Sequence, residues 1–223
     1  MKVALFYAKK QNTPLAKLSR RVREIIGALP ITPPIWPRRF FHLLVGSTIP
    51  VSALYLPDAL FIWSLVTLSV VAVLTEAGRT MTPKINDLIV RCLPFFKPAE
   101  RHIVTGATFM LLAATAAFVL FDKHIAILAM VFLAVGDPFA ALVGYRARHG
   151  RIFGKSLAGT AAFTISAGIA GTLFTLHPSI PMAWWFFPGL VTAGAVEILP
   201  IPLDDNVTVP LAGGGIMALL ALA

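Results

Sequence analysis

Charge is scarce in this chain, and negative charge is scarcest: of 223 residues only 13% are charged, with ten Asp and Glu against 19 Lys and Arg. Soluble domains carry about a quarter charged residues, so a water-soluble globule is excluded as the class. Cysteine is nearly absent. Cys92 stands alone, which rules out an intramolecular disulfide and leaves helix packing as the source of stability. No short apolar segment with a small-residue cleavage site precedes the first long apolar run at Phe40, so no cleavable signal peptide is expected. Low-complexity tails are missing too, and internal repetition is limited to a weak echo of Arg39, His42 and Gly46 in Arg101, His102 and Gly106.

What the chain has is apolar sequence, 57% of it. Uncharged runs of roughly 17 to 20 residues recur, each long enough to cross a hydrocarbon core of about 30 Å. The expected fold is all-α: a polytopic membrane helical bundle with seven spans at 40–57, 59–75, 103–121, 124–144, 157–176, 182–199 and 207–222, the first hairpin turning at Pro57-Asp58. A formal charge of +9 would suggest nucleic acid in a soluble protein, but here its placement explains it. With the N-terminus inside, every Lys and Arg except Lys123 falls in an inside segment. That is the asymmetry an N-in, C-out topology requires. No nucleic-acid partner is expected; a bacterial inner membrane, with the working face toward the cytoplasm, is the simplest location, and oligomeric state is left open.

Residues 1–39 form a separate segment, a basic arm ahead of a transmembrane domain at 40–223. Leu15, Leu18, Val22, Ile25 and Ile26 sit at helical spacing among Lys17, Arg20, Arg21 and Arg23, which predicts an amphipathic helix on the membrane surface, opening at Thr13-Pro14. The stretch from Pro30 to Pro37 reads as a stiff connector. Between spans two and three, Ile85, Leu88, Ile89, Cys92 and Leu93 share a face between Pro83 and Pro94, predicting a second interfacial helix. Trp184, Trp185, Phe186 and Phe187 read as an outer aromatic belt, and His177-Pro178 as a loop.

Three groups of residues carry chemistry. Asp137 lies within span four, about two turns from its inner end, where a carboxylate needs a partner, a metal or water; Pro138 frees a carbonyl beside it. Gly150 to Thr160 (GRIFGKSLAGT) brings glycines, Lys155 and Ser156 to a helix N-terminus, the ingredients of a phosphate site, although the spacing is not that of a Walker A loop. Ser156 read as an ordinary N-cap is the competing interpretation. Glu197, Asp204, Asp205 and Asn206 gather oxygen ligands suited to Mg²⁺ against the positive-inside trend, with capping able to account for one of them. By topology these groups share one face with Glu76, Arg79, Arg39 and His42, a combination suited to phosphoryl or nucleotidyl transfer involving a lipid.

The blocks Arg39-x-x-His42-x-x-x-Gly46, Arg101 with Thr105-Gly106-Ala107-Thr108-Phe109, Gly136-Asp137-Pro138-Phe139-Ala140, Gly154-Lys155-Ser156-Leu157-Ala158-Gly159-Thr160, Glu197 and Asp204-Asp205-Asn206 resemble, in order and spacing, the dolichol kinase, phytol kinase and CTP-dependent diacylglycerol kinase group. That group is distantly similar to phosphatidate cytidylyltransferase. The resemblance covers most of the chain after Pro37; the basic arm is not part of it, and the chain is short for a eukaryotic dolichol kinase. It implies an Mg²⁺-dependent kinase that moves the terminal phosphate of CTP, or another nucleoside triphosphate, to a membrane alcohol such as diacylglycerol, phytol or a polyprenol. Carried onto this sequence, it makes Asp137, Glu197 and Lys155 catalytic, and Gly154, Lys155, Ser156, Gly159, Asn206 and Arg101 nucleotide-binding. Asp137, Asp204 and Asp205 become metal ligands, and Arg39, His42, Glu76 and Arg79 contact the headgroup or support the site. Whether Asp137 or Glu197 accepts the alcohol proton stays open at this stage. The alternatives are nucleotidyl transfer making a CDP-lipid and, further off, a transporter, whose polar residues would lie near the midplane rather than at one face.

Overall fold

A computed structural model describes residues 35–82, 85–87, 104–147 and 149–223. The surface helix expected in residues 1–39 and most of the 82–94 segment lie outside them, as does Arg101; residues 85–87 are helical. The described chain is almost entirely helical: α1 (Ile35–Tyr55), α2 (Asp58–Met81), α3 (Gly106–Leu120), α4 (Lys123–Arg146), α5 (Leu157–Phe174), α6 (Phe186–Ile198) and α7 (Asp205–Ala221). Each overlaps one of the seven apolar runs. By length and composition three of them, α2, α4 and α5, suffice to cross a membrane; at 1.5 Å per residue, 24 residues reach about 36 Å and 18 about 27 Å.

Three boundaries differ from expectation, for local reasons. Helix α1 is already helical at Ile35, the first described residue, five positions ahead of the expected span. Helix α2 runs on to Met81, its polar last turns held by a Glu76–Arg79 ion pair one turn apart. Helix α6 opens only at Phe186. The aromatic run there splits between faces: Trp184 and Phe187 are exposed, whereas Trp185 and Phe186 are buried, Trp185 against His124.

The structure is not purely helical. Between α4 and α5 the chain forms a minimal hairpin, β1 (Arg151–Ile152) and β2 (Lys155–Ser156), antiparallel with Ile152 opposite Lys155. Phe153 and Gly154 both have positive φ, 52° and 86°, the backbone of a tight primed turn. Two-residue strands carry no period-two pattern, so nothing in the hydrophobic spacing announced them.

Helix α4 is the axis. An unbroken buried run from Ile125 to Ala134 shows it enclosed on all sides, as a helix hydrophobic all round must be. Helix α5 packs closest to it. A Cβ on Gly159 would stand 2.9 Å from the Ala140 carbonyl oxygen and 3.3 Å from Gly144 Cα, and one on Gly136 would meet the Phe163 ring at 2.5 Å. Small residues therefore set the α4–α5 separation. The outer surface is the reverse: Leu60, Trp63, Leu68, Val71 and Leu74 on α2 and Ile165, Ile169 and Leu173 on α5 are exposed.

Candidate functional site

The polar residues of the bundle gather where odd-numbered helices begin and even-numbered helices end. Asp137, about two and a half turns before the end of α4, accepts a hydrogen bond from Arg39 Nη1 at 2.6 Å, and His42 Nε2 stands 3.9 Å from the same oxygen. Arg39 and His42 are one turn apart on α1, so a single face of α1 brings the guanidinium and the imidazole to the α4 carboxylate. The partner that depth demands is thus supplied by protein. A guanidinium is suited to this role, being permanently charged and weakly hydrated.

A second cluster joins α5, α6 and α7. Lys155 Nζ donates to both oxygens of Asp205, at 2.7 and 2.9 Å, and to the backbone carbonyl of Glu197; the Glu197 carboxylate lies 4.0 Å away. Thr160 Oγ1 donates to Glu197 Oε2 at 2.7 Å. The hairpin turn delivers the lysine: it directs Lys155 across to α6 and α7 while Ser156, one residue on, turns inward. The two clusters meet across the α4–α5 contact: Gly136, next to Asp137, faces the Phe163 ring, and Ala140 faces Gly159, next to the Thr160 that binds Glu197. About a third of the Lys155 and Asp205 side chains remains exposed, so ligands in solution can reach them.

Other expected site residues have structural duties. Ser156 is buried, and its hydroxyl accepts the Gly159 N–H at 2.9 Å as the N-cap of α5. Gly159 thereby has its amide committed to the cap and its Cα pressed on α4. Gly154 is different: its φ of +86° favours glycine, and its surroundings are open. Asp204 caps α7, accepting from the backbone and side-chain nitrogens of Asn206 at 2.9 and 2.6 Å. Asn206 in turn packs against α3, its Nδ2 standing where a Cβ on Gly106 would be 2.9 Å away.

Glu76 and Arg79 form a third group, buried rather than presented to headgroups. One Glu76 oxygen accepts from Arg79 Nη2 at 2.6 Å and Nε at 3.1 Å; the other accepts from the Thr105 amide at 3.0 Å and the Thr108 hydroxyl at 3.3 Å. Arg79 also donates to Asn86 Oδ1 at 3.2 Å. This network ties the end of α2 to the start of α3, and its threonines were not among the expected site residues, nor was Thr160. A signal existed for Thr160: it follows Ser156 by four positions, hence lies on the same helix face.

The expected magnesium ligands do not assemble into an ion site. Among the described residues no three His, Cys, Asp or Glu side chains are grouped to hold a metal. Asp137 is neutralised by Arg39, Asp205 by Lys155, and Asp204 is spent on its own helix terminus. Each carboxylate is answered singly by a protein cation or amide.

At the opposite end the picture is sparse. Lys123 and Asp58 pair at 2.5 Å, and Tyr55 meets His177 edge-on.

Against known proteins the chain is 25% identical, over 184 residues covering 78% of it and 88% of the relative, to uncharacterized protein RP860 of Rickettsia prowazekii (strain Madrid E). No family model matches, and no solved structure matches.

Proposed function

We propose that this chain is an integral membrane phosphotransferase that moves the terminal phosphate of a nucleoside triphosphate, CTP by resemblance, onto a membrane alcohol. Seven spans with the N-terminus inside would put both ion-paired clusters at the cytoplasmic face. The observation that carries the reading is the Lys155 ammonium, held between Asp205 and Glu197 at the head of α5 and partly open to solvent. The Arg39–Asp137 pair lies across the α4–α5 contact from it.

Two cations, each resting on a carboxylate, suit phosphate recognition by exchange of partners. Phosphate oxygens compete well for lysine and guanidinium groups. A triphosphate that takes Lys155 and Arg39 releases Asp205 and Asp137. Freed from Arg39, Asp137 is an unpaired carboxylate beside the γ-phosphate, placed to accept the proton of an incoming hydroxyl. The alcohol oxygen then bonds to the γ-phosphorus, the bridging oxygen leaves with the nucleoside diphosphate, and the proton passes to Asp137. Glu197, held by Thr160, keeps Lys155 in place through its carbonyl. Magnesium enters only as part of the nucleotide substrate. Protein catalysis of this kind is positioning and charge compensation, which paired cations at a helix terminus supply.

The test is transfer itself: purified protein given γ-labelled CTP and lipid alcohols yields labelled lipid phosphate. A folded preparation that moves no label to any alcohol refutes the reading.

A further inference from the structure

The hairpin that carries Lys155 also displays an aromatic ring at a position where the backbone disfavours one. Phe153 has φ +52°, a conformation uncommon for any side chain and an outlier for a bulky one. Primed turns ordinarily use Asn-Gly or Gly-Gly there. The ring gains no local packing in return, being 65% exposed. Close by in the chain, Tyr145, Ile152 and Leu157 are also exposed. Exposed Arg146 and Arg151 flank them, and the chain contains no Asp or Glu between Asp137 and Glu197. The tip is fastened in place: Arg151 donates to the carbonyl of Gly154 at 2.9 Å and to that of Gly144 at 3.3 Å. Lys155 at the base of the hairpin is taken up by Asp205, but the tip itself is a fastened apolar turn flanked by two exposed arginines with no acid in its own segment, which complements the headgroup–acyl boundary of an anionic leaflet.

We propose that the 150–157 hairpin is an interfacial anchor, inserting Phe153 into the acyl boundary with Arg146 and Arg151 on lipid phosphates. Through the Ile152–Lys155 pairing it holds Lys155 at headgroup depth, where a lipid hydroxyl resides. The inference rests on the membrane reading given above and extends it to a lipid class.

The experiment uses the full chain with Cys92→Ser and Phe153→Cys, a nitroxide on the new thiol, reconstituted in phosphatidylcholine vesicles with and without phosphatidylglycerol. Collision rates with oxygen and with a water-soluble nickel chelate report depth. Labels on H149C and L68C serve as the aqueous and hydrocarbon references, and I152C gives a second reading of the tip should F153C fail to fold. The anchor requires an oxygen-to-nickel ratio several-fold above that at position 149, rising with phosphatidylglycerol and falling when Arg146 and Arg151 are both replaced by Gln. A tip as water-accessible as position 149 in both lipids overturns it. So does protection that appears only on adding CTP, which would make the ring a base-stacking element. The kinase reading fails separately, since a deep label with no phosphate transfer keeps the anchor and removes the kinase; a water-exposed reference at position 68 removes the membrane reading itself.

Discussion

Arg39 Nη1 lies 2.6 Å from Asp137 Oδ2, joining residues 98 positions apart on α1 and α4. The pair resolves the problem of a carboxylate more than two turns inside an apolar helix. It also places a replaceable cation beside the group proposed to accept a proton.

Asp137→Asn keeps the shape and removes the basic oxygen. Turnover is expected to fall by roughly 100-fold or more, while size-exclusion behaviour in detergent stays that of the folded protein. Near-normal turnover would remove Asp137 from the chemistry.

Lys155→Ala should act mainly on nucleotide affinity. A charged hydrogen bond of the Lys155–phosphate kind is worth about 1.5–3 kcal/mol, so the apparent KM for nucleotide should rise about tenfold to a hundredfold. An unchanged KM would count against the lysine as the phosphate cation. Asp205→Asn, by loosening the competing partner, should move KM less, or downward.

The Glu76–Arg79 network is expected to matter for stability rather than affinity. Removing one member of a buried pair leaves the other charge uncompensated, at a cost of about 3–5 kcal/mol. Arg79→Ala should therefore unfold at markedly lower temperature in detergent, with an unaltered nucleotide KM in whatever protein remains folded. An unchanged unfolding temperature would contradict the tie between α2 and α3.

Lys123→Ala, at the far end, is the contrast. The Lys123–Asp58 pair is exposed, and exposed pairs contribute about 0–1 kcal/mol. Both unfolding temperature and turnover should stay near those of the parent protein. A large drop in turnover would place chemistry at the wrong end of the bundle.

Much of the fold was legible because apolar runs are long and charges few: seven described helices fall on the seven runs, with ends displaced by a few residues. The site was legible as residue types but not as partners. Asp137 declared its need for a counterion, yet only the fold could show that Arg39 meets it. Gly159 illustrates the limit most clearly. A glycine at a helix N-terminus serves equally for the approach of a phosphate or of another helix, and here Ala140 and Gly144 occupy that space. Gly159→Ala should thus cost about 1–3 kcal/mol through overpacking, read as a lowered unfolding temperature. The hairpin escaped notice because its strands are two residues long and its turn residue is Phe153, against the usual preference for small or amide side chains.

The most direct measurement gives purified protein CTP labelled separately in the base and the γ-phosphate, with magnesium and a panel of diacylglycerol, phytol, farnesol, polyprenols and phosphatidate. The expected result is γ-label on one alcohol, CDP as the second product, and loss of both with Asp137→Asn. Base label in the lipid with release of pyrophosphate, or no transfer by folded protein to any acceptor, would contradict the phosphotransferase assignment.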